Sequence, residues 1–118
     1  MVDDEAFVAN AVRRVLRAHD VDVAIGGDEA ARRLQASARY DVVLCDLMMP
    51  GMDGPGLYDH IRSRFPELVS HMVFMTGGAF TERARSFVER VEPFLIHKPF
   101  DAVTLRDAVA RAAEALPV

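Results

Sequence analysis

The 118-residue sequence has one cysteine, no tryptophan and a single lysine. One cysteine, Cys45, cannot close an internal disulfide, so nothing in the chain calls for an oxidising compartment. No apolar run approaches the roughly 20 residues that cross a bilayer, and no basic-then-apolar leader opens the chain. A cytoplasmic domain without membrane contact is therefore expected. An excess of positive charge is missing too. The 18 acidic residues against 14 basic ones leave a net charge of −4, which argues against a phosphate-backbone interface and so against nucleic acid as a partner. Repeats, linker-like stretches and low-complexity tracts are absent, and residues 1–118 read as one domain.

What is present describes a folded core: 51% hydrophobic and 27% charged residues. Short apolar runs at 21–25, 42–45, 72–75 and 94–96 are bounded by Asp, Gly or Pro and rich in branched or aromatic residues, as buried strands are. Continuous apolarity predicts a parallel sheet covered on both faces. Between the runs lie helical stripes. Val8, Ala11, Val12, Val15 and Leu16 form the first, and Ala30, Ala31 and Leu34 the second, behind Asp28 as N-cap. Leu57, Ile61 and Phe65 precede Pro66, a helix stop. Ala84, Phe87, Val88 and Val91 follow Thr81, and Leu105, Ala108, Val109 and Ala112 follow Asp101, a good cap. Such alternation predicts a doubly wound α/β fold with right-handed crossovers. The opening Met1-Val2-Asp3-Asp4 leaves almost nothing for a first strand: either the domain is excised from a longer chain and trimmed there, the favoured expectation, or the strand is reduced to a stub. A chain truly lacking that strand is expected to be poorly stable, because two neighbours lose a hydrogen-bonding partner.

In an open parallel sheet, ligands bind at the carboxyl ends of the strands. The polar residues that follow the apolar runs are Asp3 and Asp4, Asp46, Thr76 and Lys98. Three carboxylates brought together repel one another unless a cation lies between them, and hard oxygen donors with room for water suit Mg²⁺ or Mn²⁺. A lone strand cysteine and the lack of a histidine pair at ligand spacing argue against zinc. A carboxylate oxygen can attack phosphorus, and the ammonium of Lys98, the hydroxyl of Thr76 and backbone N–H groups can neutralise the phosphoryl oxygens. Of the 14 basic residues, all but Lys98 are arginine, which singles that residue out. Taken alone, each of these residues has a plainer reading: helix cap for Asp3-Asp4, turn for Asp46, solvated loop charge for Lys98.

The stretch from Asp41 through Asp46-Leu47-Met48-Met49-Pro50 to Gly54, with Asp3-Asp4, Thr76-Gly77-Gly78 and Lys98-Pro99-Phe100, resembles the receiver domains of two-component response regulators and hybrid histidine kinases. The resemblance implies a flavodoxin-like fold with five parallel strands in the order 2-1-3-4-5 and five helices. It implies Asp46 as phosphoacceptor, and Asp4, Asp46 and the Met48 carbonyl as direct Mg²⁺ ligands, with Asp3 acting through water. Thr76 is the implied switch hydroxyl, Lys98 its ion-pair partner, and the N–H groups of Leu47 and Gly77 complete the phosphoryl cradle. The implied donor is a phosphohistidine on a histidine kinase or phosphotransfer domain. The domain itself is then an acceptor rather than an enzyme, expected as a monomer or weak dimer.

Two departures stand out. The position three residues before the lysine, usually Tyr or Phe, is Leu95, with Phe94 one residue earlier as a possible substitute at the switch. The first strand is the stub already noted. A haloacid dehalogenase-type phosphohydrolase uses the same ingredients but needs a second Asp two residues after the nucleophile, where this chain has Met48. A receiver-like module that is never phosphorylated remains the other alternative. The run from Thr76 to Lys98 resembles receivers of hybrid sensor kinases, so such a parent is expected ahead of a stand-alone regulator. Met48 is expected to shield the acyl phosphate and slow its hydrolysis. Cys45 reads as core, His19, His60, His71 and His97 as surface residues, and Gly26-Gly27 as a strand-to-helix turn.

Overall fold

A computed structural model describes residues 1–37, 39–78 and 81–115. Three parallel strands, β1 (Val43–Asp46), β2 (Met72–Thr76) and β3 (Phe94–His97), lie side by side in that order. Five helices surround them: α1 (Ala6–Val15), α2 (Gly27–Ala36), α3 (Gly54–Arg64), α4 (Glu82–Val91) and α5 (Ala102–Glu114). A 3₁₀ segment, Pro66–His71, connects α3 to β2.

Among the described residues, five full strands are not formed. The first strand and the run at 21–25 beside it shrink to single bridges, with Val2 parallel to both Ala24 and Cys45. The short stub is nevertheless bonded on both sides. Val2 donates its N–H to the Leu44 carbonyl at 2.7 Å and accepts from Asp46 N–H at 2.9 Å. On the other side the Ala24 N–H reaches the Met1 carbonyl at 2.9 Å, and Asp3 N–H the Ala24 carbonyl at 3.0 Å. Reading across the sheet gives Ala24, Val2, β1, β2, β3, which is the flavodoxin-like order. The run at 21–25 fails as a strand for a physical reason: the stub offers a partner to Ala24 alone, and Ile25 is left 71% exposed.

Side chains alternate across the strands, and this alternation builds two cores. Val43, Cys45, Met72 and Phe74 face α2, α3 and α4, while Leu44, Val73, Met75 and Ile96 face α1 and α5. Phe87 of α4 meets Phe74 and Tyr58 edge-on, at centroid distances of 5.3 and 5.2 Å, a geometry that favours aromatic pairs. In α1 the inward residues are Ala9 and Val12, followed by Leu16 at the C-cap, whereas Ala11, expected inside, is exposed.

Caps at Thr81 and Asp101 accept from Ala84 N–H and Thr104 N–H at 3.1 and 2.7 Å. Asp28 is not the cap of α2. Gly26 holds that position, and Glu29 reaches back to the Ile25 N–H at 2.9 Å, leaving Asp28 in the first turn. Nor are all four histidines on the surface. His71 Nδ1 lies 2.6 Å from the Ala112 carbonyl, and the His60 Nε2 atom is buried.

The loop that follows Asp46 is closed by the Gly54 N–H donating to the Leu47 carbonyl at 3.0 Å. A Cβ at Gly54 would lie 2.8 Å from Leu47 Cα and 3.0 Å from the Asp46 carbonyl, both rigid backbone. Gly26, in contrast, has open space and an extended backbone. We expect Gly54→Ala to cost about 1–3 kcal/mol and Gly26→Ala to leave stability nearly unchanged. Urea denaturation of the two variants distinguishes them, and equal midpoints would contradict this account of the loop.

Candidate functional site

Four chain segments meet at the carboxyl edge of the sheet. The stub brings Asp3, β1 ends in Asp46, β2 ends in Thr76, and Lys98 follows β3. The register explains the meeting. Asp46 lies opposite Met75 and Thr76 opposite His97, so the next residue along, Lys98, is carried to the same edge and donates its backbone N–H to the Thr76 carbonyl at 2.7 Å.

The Lys98 ammonium bridges two carboxylates, Asp3 Oδ2 at 3.1 Å and Asp46 Oδ2 at 3.2 Å. Asp3 and Asp46 are both buried, as is Thr76. Burial raises the Asp46 pKa above the ordinary carboxylate value; the Lys98 ammonium pulls it back, and the neighbouring Asp3 charge adds to the rise. For Lys98, burial disfavours the ammonium, but the charges of Asp46 and Asp3 and their hydrogen bonds outweigh it and hold its pKa above the usual lysine value. Burial likewise pushes the Cys45 thiol up, consistent with a core residue.

The remaining expected residues are distributed unevenly. Asp4 is exposed beside the cluster, and Gly77 is exposed beyond Thr76. The Thr76 hydroxyl accepts the Gly78 N–H at 3.2 Å. Leu47 differs from expectation: its N–H donates to the Met75 carbonyl at 2.8 Å, continuing the β1–β2 ladder, and its side chain is fully buried. The N–H that turns toward the Asp46 carboxylate is that of Met48, 3.4 Å from Oδ1. At the altered switch position, Leu95 packs into the α4-side core while Ile96 packs on the opposite face. Phe94 therefore points away from Leu95 and is 37% exposed. It cannot take over the Leu95 position without a one-residue slip that would turn every β3 side chain over.

Sequence reasoning missed Glu5. Carboxylate oxygens of Asp3, Asp4, Glu5 and Asp46 all lie within 4.8 Å of one another. The signal was available, since Glu5 directly follows the acidic pair. This donor set is hard, anionic and open on one side, which fits Mg²⁺ or Mn²⁺ and not a soft metal.

Comparison with known proteins shows a family and a fold. The family described as response regulator receiver domain matches residues 1–110. The response regulator protein FleR of Pseudomonas aeruginosa is 34% identical over 96% of this chain, and the chain spans 24% of it. The sensor kinase CckA of Brucella abortus is 30% identical over 97% of this chain, which spans 12% of it. Among solved structures, the receiver domain of NtrX from Brucella abortus superposes with a TM-score of 0.82 at 32% identity, covering 96% of this chain and 95% of that one. The chemotaxis protein CheY4 of Vibrio cholerae, 24% identical with a TM-score of 0.76 over 94% of this chain and 93% of its own, shares the fold. No helix among the described residues is long and apolar enough to cross a membrane.

The raised Asp46 pKa makes a stability prediction. Below its ordinary value of 3.8 the carboxyl is protonated in folded and unfolded chains alike. As pH rises through the elevated folded value, ionising Asp46 opposes folding. Asp46→Asn is thus expected to raise the melting temperature at pH 7, with the gain shrinking through the acid range and absent below 3.8. Thermal melts of both proteins across that range measure it, and a variant no more stable than the parent at pH 7 refutes it.

Proposed function

The chain belongs to the response regulator receiver domain family, and on that footing we propose that it is a phosphoacceptor switch, taking a phosphoryl group from a phosphohistidine onto Asp46. The observation that carries this reading is the Lys98 ammonium 3.2 Å from Asp46 Oδ2, on an edge that also gathers Thr76 and a cluster of carboxylates. A buried carboxylate with a raised pKa is a more basic, stronger nucleophile once ionised.

In the transfer, an Asp46 carboxylate oxygen forms a bond to phosphorus as the bond from phosphorus to the donor imidazole breaks. The electron pair leaves with the imidazole nitrogen, which takes up a proton, and an acyl phosphate results. The reaction is mostly positioning and charge neutralisation. Lys98 exchanges a carboxylate contact for a phosphoryl oxygen. Thr76, whose oxygen accepts from Gly78 N–H, keeps its own proton to donate to a second oxygen. The N–H groups of Met48 and Gly77 are further donors, and the Leu47 N–H is engaged in the sheet. Mg²⁺ or Mn²⁺, held by Asp4, Asp46 and the Met48 carbonyl with Asp3 behind them, would supply charge neutralisation.

The partner in this reading is a histidine kinase or histidine phosphotransfer domain in the cytoplasm, and residues 1–118 act as one receiver unit. A hybrid sensor histidine kinase is the favoured parent. It is supported by the resemblance of the 76–98 segment to such receivers and by the match to a sensor kinase, with the match to the regulator FleR supporting the alternative.

Incubation with Mg²⁺ and acetyl phosphate, followed by intact-mass measurement, is expected to give one phosphoryl adduct that requires the metal and is lost in Asp46→Asn. Lys98→Met is expected to slow its formation by about 100-fold, the scale seen when one charge-stabilising donor is removed. A folded chain that acquires no adduct would overturn the reading in favour of an unphosphorylated interaction module.

A further inference from the structure

Two of the four clustered carboxylates already have partners. Asp3 gives Oδ2 to the Lys98 ammonium and accepts the Glu5 N–H on Oδ1 at 2.8 Å. Asp46 gives Oδ2 to Lys98 and turns Oδ1 toward the Met48 N–H. Asp4 and Glu5 are both exposed, and among the described residues neither side chain makes a hydrogen bond or ion pair. The ordinary reason for an acidic residue in front of a helix is capping. Glu5 occupies the N-cap position of α1 yet makes no side-chain cap bond. Its backbone is fixed on both sides, by its N–H to Asp3 and by its carbonyl, which accepts the Ala9 N–H at 3.1 Å. From that fixed backbone its carboxylate reaches to within 4.8 Å of the other three.

We propose that Glu5 is an affinity-determining residue of the divalent-cation site, the fourth anionic group that holds Mg²⁺ or Mn²⁺ there. The role rests on the reading of the acidic edge as the receiver's metal site. The physical reason is charge balance. Lys98 neutralises part of Asp3 and Asp46, so these two attract a further cation less strongly than their number suggests. Asp4 and Glu5 carry the uncompensated negative charge. A carboxylate at about 5 Å from a divalent ion, in a solvent-exposed setting, changes its affinity on the order of tenfold.

Isothermal titration of the unphosphorylated chain with MgCl₂ and with MnCl₂ tests this directly, beside Glu5→Gln and Glu114→Gln. The second variant removes one charge from the last residue of α5, at the opposite end of that helix from the site. Glu5→Gln is expected to weaken both cations about tenfold, and to reduce by a comparable margin the Mg²⁺ concentration effect on the melting temperature. Glu114→Gln should match the parent. Binding by Glu5→Gln within about twofold of the parent, or an equal loss in Glu114→Gln, would overturn the proposal. The acetyl phosphate assay separates it from the function itself. A chain that shows the Glu5-dependent titration but never gains a phosphoryl group on Asp46 would sink the phosphoacceptor reading and leave this one supported.

Discussion

The contact of one ammonium with two buried carboxylates holds the carboxyl edge of the sheet together. The Asp3 side chain is fully inaccessible and that of Asp46 nearly so. A buried carboxylate without a partner is strongly unfavourable, and two side by side are worse. Lys98 sits between them, and its backbone N–H is tied to Thr76. The stub, β1, β2 and the segment after β3 are therefore connected through one residue. Lysine suits this position better than the arginine used elsewhere in the chain. Its compact charge can face two separate oxygens, whereas a planar guanidinium prefers one carboxylate in a bidentate grip.

Such an arrangement depends on accurate delivery by the sheet. The strand register puts Asp46, Thr76 and Lys98 within reach of one another, and the alternation of side chains anchors that register on both faces. Sliding β3 by one residue would exchange Leu95 and Ile96 between cores and remove Lys98 from the edge in the same step. The stub contributes more than its length suggests. Val2 exchanges backbone hydrogen bonds with β1, and Met1 and Asp3 with Ala24, which fixes where Asp3 emerges. A single well-bonded residue thus gives each neighbour a partner at the edge that carries the site. At the other end of the stub the Met1 ammonium donates to the Asp22 carbonyl at 3.1 Å, and a cavity of about 660 Å³ lined in part by Met1, Leu16, Leu44 and Val109 opens beside it.

What the sequence discloses follows from how local each determinant is. The helices and the three central strands are legible because burial on one or both faces leaves a pattern in the residues themselves. Asp46, Thr76 and Lys98 are legible because each immediately follows such a pattern. The run at 21–25 misleads: its composition is that of a strand, but strand formation needs a partner, and the partner's length is a property of another segment. The cap of α2 misleads similarly, since Asp28 has the right chemistry and Gly26 has the geometry. The Leu47 N–H could not be assigned from sequence, as a backbone donor carries no signature and its engagement by Met75 is decided by the ladder. Glu5 was overlooked because an acid before a helix has an ordinary explanation, which only the missing cap bond removes.

The departure at Leu95 changes how the site can communicate with the rest of the domain. A leucine packed against the same core as Val88 and Val91 has no ring to swing between buried and exposed positions. The exposed ring, that of Phe94, belongs to the other face of β3. Two connections lead from the site to the neighbourhood of α4 without passing through that position. One runs from the Thr76 hydroxyl to the Gly78 N–H, where a φ of +102° suits glycine and few other residues. The other runs through the loop after Asp46 to Asp53, which caps α3 and accepts Arg83 Nε of α4 at 2.9 Å. Solvent screens the second, so it is a weak tether. The first lies next to Asp46 and involves a hydroxyl that, in the proposed function, can accept from the Gly78 N–H while it donates its proton to a phosphoryl oxygen. If Asp46 takes up a phosphoryl group as proposed, the backbone after Thr76, rather than an aromatic side chain on β3, is the element that its chemistry would touch directly.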